Sequence, residues 1–156
     1  EEELSRMAIA KRIVEEMKPN TVYILGPGLT VKAVADEMGV EKTLLGIDVV
    51  KDGRLLVKDA NEEALWRIVS KSERVKIILS PLGGQGTILG RGNQPISPRI
   101  LRRVGLENLI IVATPSKVLK TRVLRVDTGD EEIDELLRGY RRVVTGYREE
   151  RVMKVI

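Results

Sequence analysis

Five glycines, at positions 83, 84, 86, 90 and 92, crowd the loop Leu82 to Pro98, which must join two regular segments. Before it stands Val75-Lys76-Ile77-Ile78-Leu79, a short aliphatic run of the length of a buried strand. After it, Pro98 opens a stretch with Ile100, Leu101 and Val104 at helical spacing, and proline favours the first helical position. The chain therefore passes from strand to helix through bared backbone, with Thr87, Arg91, Asn93, Gln94 and Ser97 supplying polar groups around it. Gly-rich strand-to-helix loops are the usual anion or nucleotide site of α/β proteins. The structural alternative is a self-supporting Ω-type loop.

The same alternation runs along the whole chain. Leu4, Met7, Ile9, Ile13, Val14 and Met17 predict a helix over 4–17 that stops at Lys18-Pro19-Asn20. A strand is expected at 21–25 with its turn at Gly26-Pro27-Gly28, then a helix over 29–38 ended by Gly39. A strand at 43–50, a hairpin turn at 51–53, a return strand at 54–58 and a helix at 61–69 follow. Beyond the Gly-rich loop come a strand at 108–113, a short turn or helical segment at 116–120, a strand at 122–126 and a helix at 131–137 closed by Gly139. Residues 142–145 and 151–155 form a hairpin-like pair. This order predicts an α/β fold: a mostly parallel, Rossmann-like three-layer sheet with helices on both faces, closing with a short antiparallel pair. Residues 1–156 fit a single domain. Ligands of such sheets bind at the carboxyl ends of the strands.

Composition excludes several chemistries. With no Cys and no His among the 156 residues, disulfides, thiolates, histidine metal ligation and histidine acid–base catalysis are ruled out. No apolar run approaches ~18 residues, so no membrane partner is expected. The opening Glu1-Glu2-Glu3-Leu4 lacks the regions of a signal peptide, which predicts a cytoplasmic location, and the missing initiator Met points to a piece of a longer chain. The net charge is +4, with both signs mixed along the chain. Arg99, Arg102 and Arg103 make a local basic cluster; nucleic-acid binding would need a longer stripe, preferably with aromatics between. A phosphorylated small molecule is the expected partner, a solvated helix face the alternative. High charge without Cys also suits a thermophile.

Several constellations could carry chemistry. At Gly26-Pro27-Gly28-Leu29-Thr30, peptide N–H groups at a helix start could grip phosphate, with Thr30 adding a hydroxyl; the alternative is a tight turn with Thr30 as helix cap. At Asp59-Ala60-Asn61-Glu62, Asp59 or Asn61 could cap a helix, whereas a functional reading sets Asp59 or Glu62 on sugar hydroxyls or as a base. Gly83, Gly84, Gln85, Gly86, Arg91 and Asn93 are the ligand-binding candidates of the long loop. Lys117, just after a strand, could hold phosphate, or be an ordinary exposed lysine. Asp127 and Asp130 could bind Mg²⁺ through oxygen, although Asp130 is equally a helix cap. Tyr140 and Tyr147 read as packing residues beside punctuating glycines.

These residues, taken in order with Leu44-Leu45-Gly46-Ile47-Asp48-Val49-Val50, Gly90-Arg91-Gly92-Asn93-Gln94, Val112-Ala113-Thr114-Pro115-Ser116-Lys117, Val126-Asp127-Thr128-Gly129-Asp130 and Val144-Thr145-Gly146-Tyr147, resemble the carboxyl-terminal half of the ATP-NAD kinase-like proteins. These are predicted polyphosphate/ATP-NAD kinases grouped with acetoin-catabolism proteins. The resemblance covers nearly the whole chain. It implies phosphoryl transfer from ATP or polyphosphate to the 2′-hydroxyl of NAD, with Mg²⁺, and an amino-terminal kinase domain as partner. Asn61-Glu62 is similar to the Asn-Glu pair that NAD kinases use on the dinucleotide. Leu29 and Pro95 depart from the family's threonine and glutamine. The Gly-Gly-Asp-Gly-Thr motif of the amino-terminal domain is absent; Gly83-Gly84-Gln85-Gly86-Thr87 imitates it with Gln85 in place of the aspartate. The resemblance thus implies a part of a kinase, not active by itself.

The layout also resembles, more distantly, ribose-5-phosphate isomerases. That likeness would put Gly26 to Thr30 and Lys117 on phosphate and Asp59 near a sugar. The lysine of that group falls near Ser80-Pro81, and its catalytic glutamate has no counterpart at Gly90-Arg91-Gly92-Asn93. A non-catalytic dimerisation domain is the third reading, with homo-oligomerisation left open.

Overall fold

The computed structural model describes every residue, Glu1–Ile156. It contains nine strands: β1 (Val22–Leu25), β2 (Asp48–Lys51), β3 (Arg54–Val57), β4 (Val75–Leu79), β5 (Thr87–Leu89), β6 (Leu109–Ile111), β7 (Val123–Val126), β8 (Gly139–Val144) and β9 (Glu150–Val155). The six α-helices are α1 (Glu2–Glu16), α2 (Leu29–Met38), α3 (Glu62–Val69), α4 (Pro98–Val104), α5 (Pro115–Thr121) and α6 (Glu131–Leu137).

β1 is apolar and buried at every position, and a strand with two apolar faces belongs in the middle of a sheet covered on both sides. Its sheet runs β3-β2-β1-β4-β6. β1, β4 and β6 are parallel, whereas β2 and β3 pair antiparallel. On one face Tyr23, Leu25 and Ile78 pack with Ile9 and Ile13 of α1 and Val31 and Val34 of α2. On the other, Ile24, Ile77 and Leu79 pack with Leu65 and Val69 of α3 and Ile100 and Leu101 of α4. That second core continues into Ile133 and Leu137 of α6 and Leu124, Val143 and Met153.

The latter strands belong to a second sheet, β5-β7-β9-β8, parallel except for β8–β9. A parallel bridge between Val112 and Val144 stitches the sheets together, with the Ala113 N–H donating to the Val144 carbonyl at 3.1 Å. The α/β class, the parallel pairing, the helices on both faces and the antiparallel close all hold.

Some local expectations need correction. The strand expected at 43–50 begins only at Asp48, because residues 43–47 wrap around buried polar groups. The long loop is not continuous: Thr87–Leu89 pairs with β7, a strand hidden among glycines. There Gly90 has φ 115°, and a Cβ on it would run into the Asp127 carbonyl, so close backbone approach requires glycine. Gly139 opens β8 instead of closing α6. Tyr140 is 73% exposed and is not a packing residue.

Candidate functional site

Because β1, β4 and β6 are parallel, the loops leaving their carboxyl ends meet at one edge. Leu82 joins them: a Cβ on Gly28 would stand 3.6 Å from one of its methyls, and one on Gly92 3.0 Å from the other. From the third loop the Lys117 ammonium donates to the Gly83 carbonyl at 2.8 Å. Gly28, Gly83, Gly92 and Lys117 therefore share a rim, and the Asp127 backbone adjoins it through Gly90. The two glycine segments that the sequence singles out are at the same edge of the molecule.

Not every glycine N–H is free there. That of Gly26 donates to Ile78 and that of Gly28 to Leu44, both at 2.9 Å. These two residues shape the turn and supply no donor. Thr30 lies inside α2 and is buried, while the cap position is Gly28, so Thr30 is not the cap. The first turn of α2 retains N–H groups without helical acceptors, and residues 83–85 and Arg91 are exposed. Asn93 is 1% exposed: its amide accepts from the Gly90 N–H and donates to the Ile88 carbonyl, each at 2.8 Å. It braces the loop from within.

Beside the rim lies a buried polar group that the sequence does not announce. Asp48 is fully buried at the start of β2, where its register with Leu25 sets it at the carboxyl end of β1. It accepts from the Thr43 hydroxyl at 2.6 Å, the Thr43 N–H at 2.9 Å and the Asp59 N–H at 3.3 Å. The ammonium of buried Lys42 stands 3.9 Å away and donates to the carbonyls of Thr43 and Gly46 at 2.9 and 2.8 Å. Burial pulls its pKa down to about 8, against the opposing pull of Asp48. Asp59 has φ 52°, and its carboxylate crowds Gly46 so closely that a side chain there would clash. Only the apolar setting of Asp48 in Gly46-Ile47-Asp48-Val49-Val50 hints at this group.

Other candidates have local duties. Asn61 caps α3, accepting from the Ala64 N–H at 2.8 Å. Glu62 receives a two-pronged bond from Arg99 at 2.7 and 2.9 Å and one from Ser97 at 2.8 Å, which hold its pKa below the usual carboxylate range. Arg99 also stacks on Trp66, and Arg102 pairs with Asp130 and Glu132. The arginine cluster is thus divided among separate neighbours. Asp130 caps α6 by accepting from the Ile133 N–H at 3.1 Å; that bond and Arg102 lower its pKa. Asp127 is exposed. No cluster of three or more carboxylates stands ready for a metal. With Asp130 already engaged and Gln85 offering no charge, the donor set does not suit Mg²⁺ held by this chain alone. At the head of α5, Glu2 of α1 accepts from the Thr114 and Ser116 hydroxyls at 2.6 and 2.5 Å.

This is an α/β domain whose distinctive loops converge on the carboxyl edge of a partly parallel sheet. The family described as ATP-NAD kinase C-terminal domain matches residues 19–155. The chain belongs to that family, and α1 precedes the matched region. No curated protein and no solved structure matches it.

Proposed function

We propose that this domain forms one wall of a site for a phosphorylated ligand, NAD or ATP, in a kinase whose amino-terminal domain supplies the other wall. The observation that carries this reading is the meeting of the Gly28, Gly83 and Gly92 backbone with Lys117 at one rim; Gly86 is buried against Thr121 and the Val123 carbonyl and serves the fold, not the ligand. The exposed peptide of Gly83-Gly84-Gln85 and the first-turn N–H groups of α2 bind phosphate oxygens. Lys117 and Arg91 supply charge. Gly26 and Asn93 keep the backbone in shape, and the exposed carboxylate of Asp59, beside Gly46 and the Lys42–Asp48 pair, is suited to sugar hydroxyls. Transfer to the 2′-hydroxyl of NAD, with any Mg²⁺ brought in by the phosphates, belongs to the complete protein. Leu29, Leu44 and Leu45 are exposed around this polar rim, an apolar border suited to a covering domain.

The test is calorimetric titration of NAD, ATP and tripolyphosphate into the chain and into its Lys117→Ala and Arg91→Ala variants. Binding in the parent that weakens in both variants, at unchanged melting temperature, supports the site. Silence for all three ligands in every protein refutes binding by this domain alone. A response to ribose 5-phosphate but not to NAD would favour the sugar-phosphate isomerase reading.

A further inference from the structure

One sizeable cavity of the molecule does not lie at the glycine rim. It opens at the opposite edge, under the amino ends of β1 and β4, with a volume of about 580 Å³. Four cations from four parts of the chain reach it: Lys18 after α1, Arg74 before β4, Lys76 within β4 and Arg103 on α4. Glu73 is the one carboxylate in its lining. None of the four cations has a carboxylate within 4.0 Å, although ten other lysines and arginines of the chain do.

Two of these cations are held in place without being neutralised. Arg103 donates to the carbonyls of Ser70 and Ser72 at 3.4 and 3.1 Å. Lys76 donates to the Asn108 side-chain oxygen at 3.3 Å, and the Asn108 amide in turn donates to the Val104 carbonyl at 2.7 Å. Neutral acceptors fix such heads while leaving their charge unspent. A concave wall with four cations against one carboxylate concentrates anions, and guanidinium groups pair with phosphate through parallel N–H donors. The volume is that of a small-molecule site, and its apolar lining is limited to Val75, Val104 and Pro19, with no aromatic side chain. An aromatic base would find little to stack on; a compact, highly charged molecule would find its charges matched.

We propose that this amino-edge cavity is a second binding site, for a small molecule carrying two or more phosphate groups, separate from the glycine rim. The five residues of β4 separate the two edges by about 16 Å, so one compact ligand does not fill both sites. Inorganic tripolyphosphate is the probe, with ATP as the arm that separates a free condensed phosphate from a nucleotide tail. Calorimetry on the parent chain should show saturable tripolyphosphate binding that weakens with added salt. Arg74→Ala, which removes a side chain without a carboxylate partner, should weaken that binding about tenfold, as should Lys76→Gln, while Lys117→Ala leaves this phase intact. Melting curves establish that each variant is folded. ATP binding here more tightly than tripolyphosphate identifies a nucleotide as the source of the phosphates; the reverse identifies free condensed phosphate. Absence of saturable binding in the parent, or equal affinity in the parent, Arg74→Ala and Lys76→Gln, overturns the proposal, and loss confined to Lys117→Ala assigns the ion to the glycine rim instead.

Discussion

Replacing Lys42 by Met tests the buried group that supports the rim. The ammonium stands 3.9 Å from Asp48 and donates to the Thr43 and Gly46 carbonyls, so removing it costs about 3–5 kcal/mol because two carbonyls lose their donor and the carboxylate its cation. Asp48 keeps three donors, two from Thr43 and one from Asp59, which favours the lower end, about 3 kcal/mol. For a domain of this size that is a fall in melting temperature of about 6–12 °C near neutral pH. The pH dependence is the sharper signature. The folded-state pKa of Lys42 is about 8 against 10.5 for an unperturbed lysine. Between those values the unfolded chain binds more protons than the folded one, so stability rises with pH. Below pH 8 the folded protein carries the whole cost of the buried charge; above 10.5 it carries none. The rise amounts to about 3 kcal/mol at 1.36 kcal/mol per pH unit. Lys42→Met lacks it, so the stability gap between parent and variant widens by that amount as pH increases. Urea melts of both proteins from neutral to alkaline pH measure the gap directly. A gap that stays constant or narrows refutes a depressed lysine, and equal stability at neutral pH refutes the pair itself. Because Asp48 holds the segment whose Leu44 carbonyl receives the Gly28 N–H, the variant should also bind phosphorylated ligands more weakly.

Three further outcomes follow from single contacts. Gly90→Ala, at φ 115° and against the Asp127 carbonyl, should cost at least about 2 kcal/mol and loosen β5 from β7, read by amide exchange at Leu89 and Asp127; native exchange there would show that the close approach is unimportant. Asn61→Ala removes the α3 cap and should cost about 1 kcal/mol, whereas Asn61→Asp should cost much less. Glu2, held by Ser116 and Thr114, has its pKa lowered from 4.5, so its contribution is present above that value and fades as pH falls through the folded-state pKa. Glu2→Gln should flatten the acid limb of the stability profile, and an unchanged limb would discount the contact.

Periodicity and punctuation carried most of the fold into view, since they act locally. The limits of α2, β4, α4 and α6 agree with the patterns of Leu29–Met38, Val75–Leu79, Pro98–Val104 and Glu131–Leu137, where alternating or helical apolar residues meet a cap, a proline or a glycine. The turn at Asp52-Gly53 was equally legible, because both residues take positive φ, as a tight hairpin requires. The β5 strand has no signature in the sequence, since three residues among glycines have no period of their own and become a strand only when β7 supplies partners.

For the site, sequence alone marked the two glycine segments and Lys117 as belonging to one class of chemistry. Tertiary structure decided which atoms remain available: it spent the N–H groups of Gly26 and Gly28, turned Asn93 inward and tied Asp130 to Arg102. It also gathered Lys42 and Asp48 into one buried pair beside the backbone of Asp59 and Lys18, Arg74, Lys76 and Arg103 around one cavity. Local backbone preference is written in neighbouring residues, but a hydrogen bond or a field of charge depends on groups far apart in the chain, and only their arrangement in space sets the distance on which those forces depend.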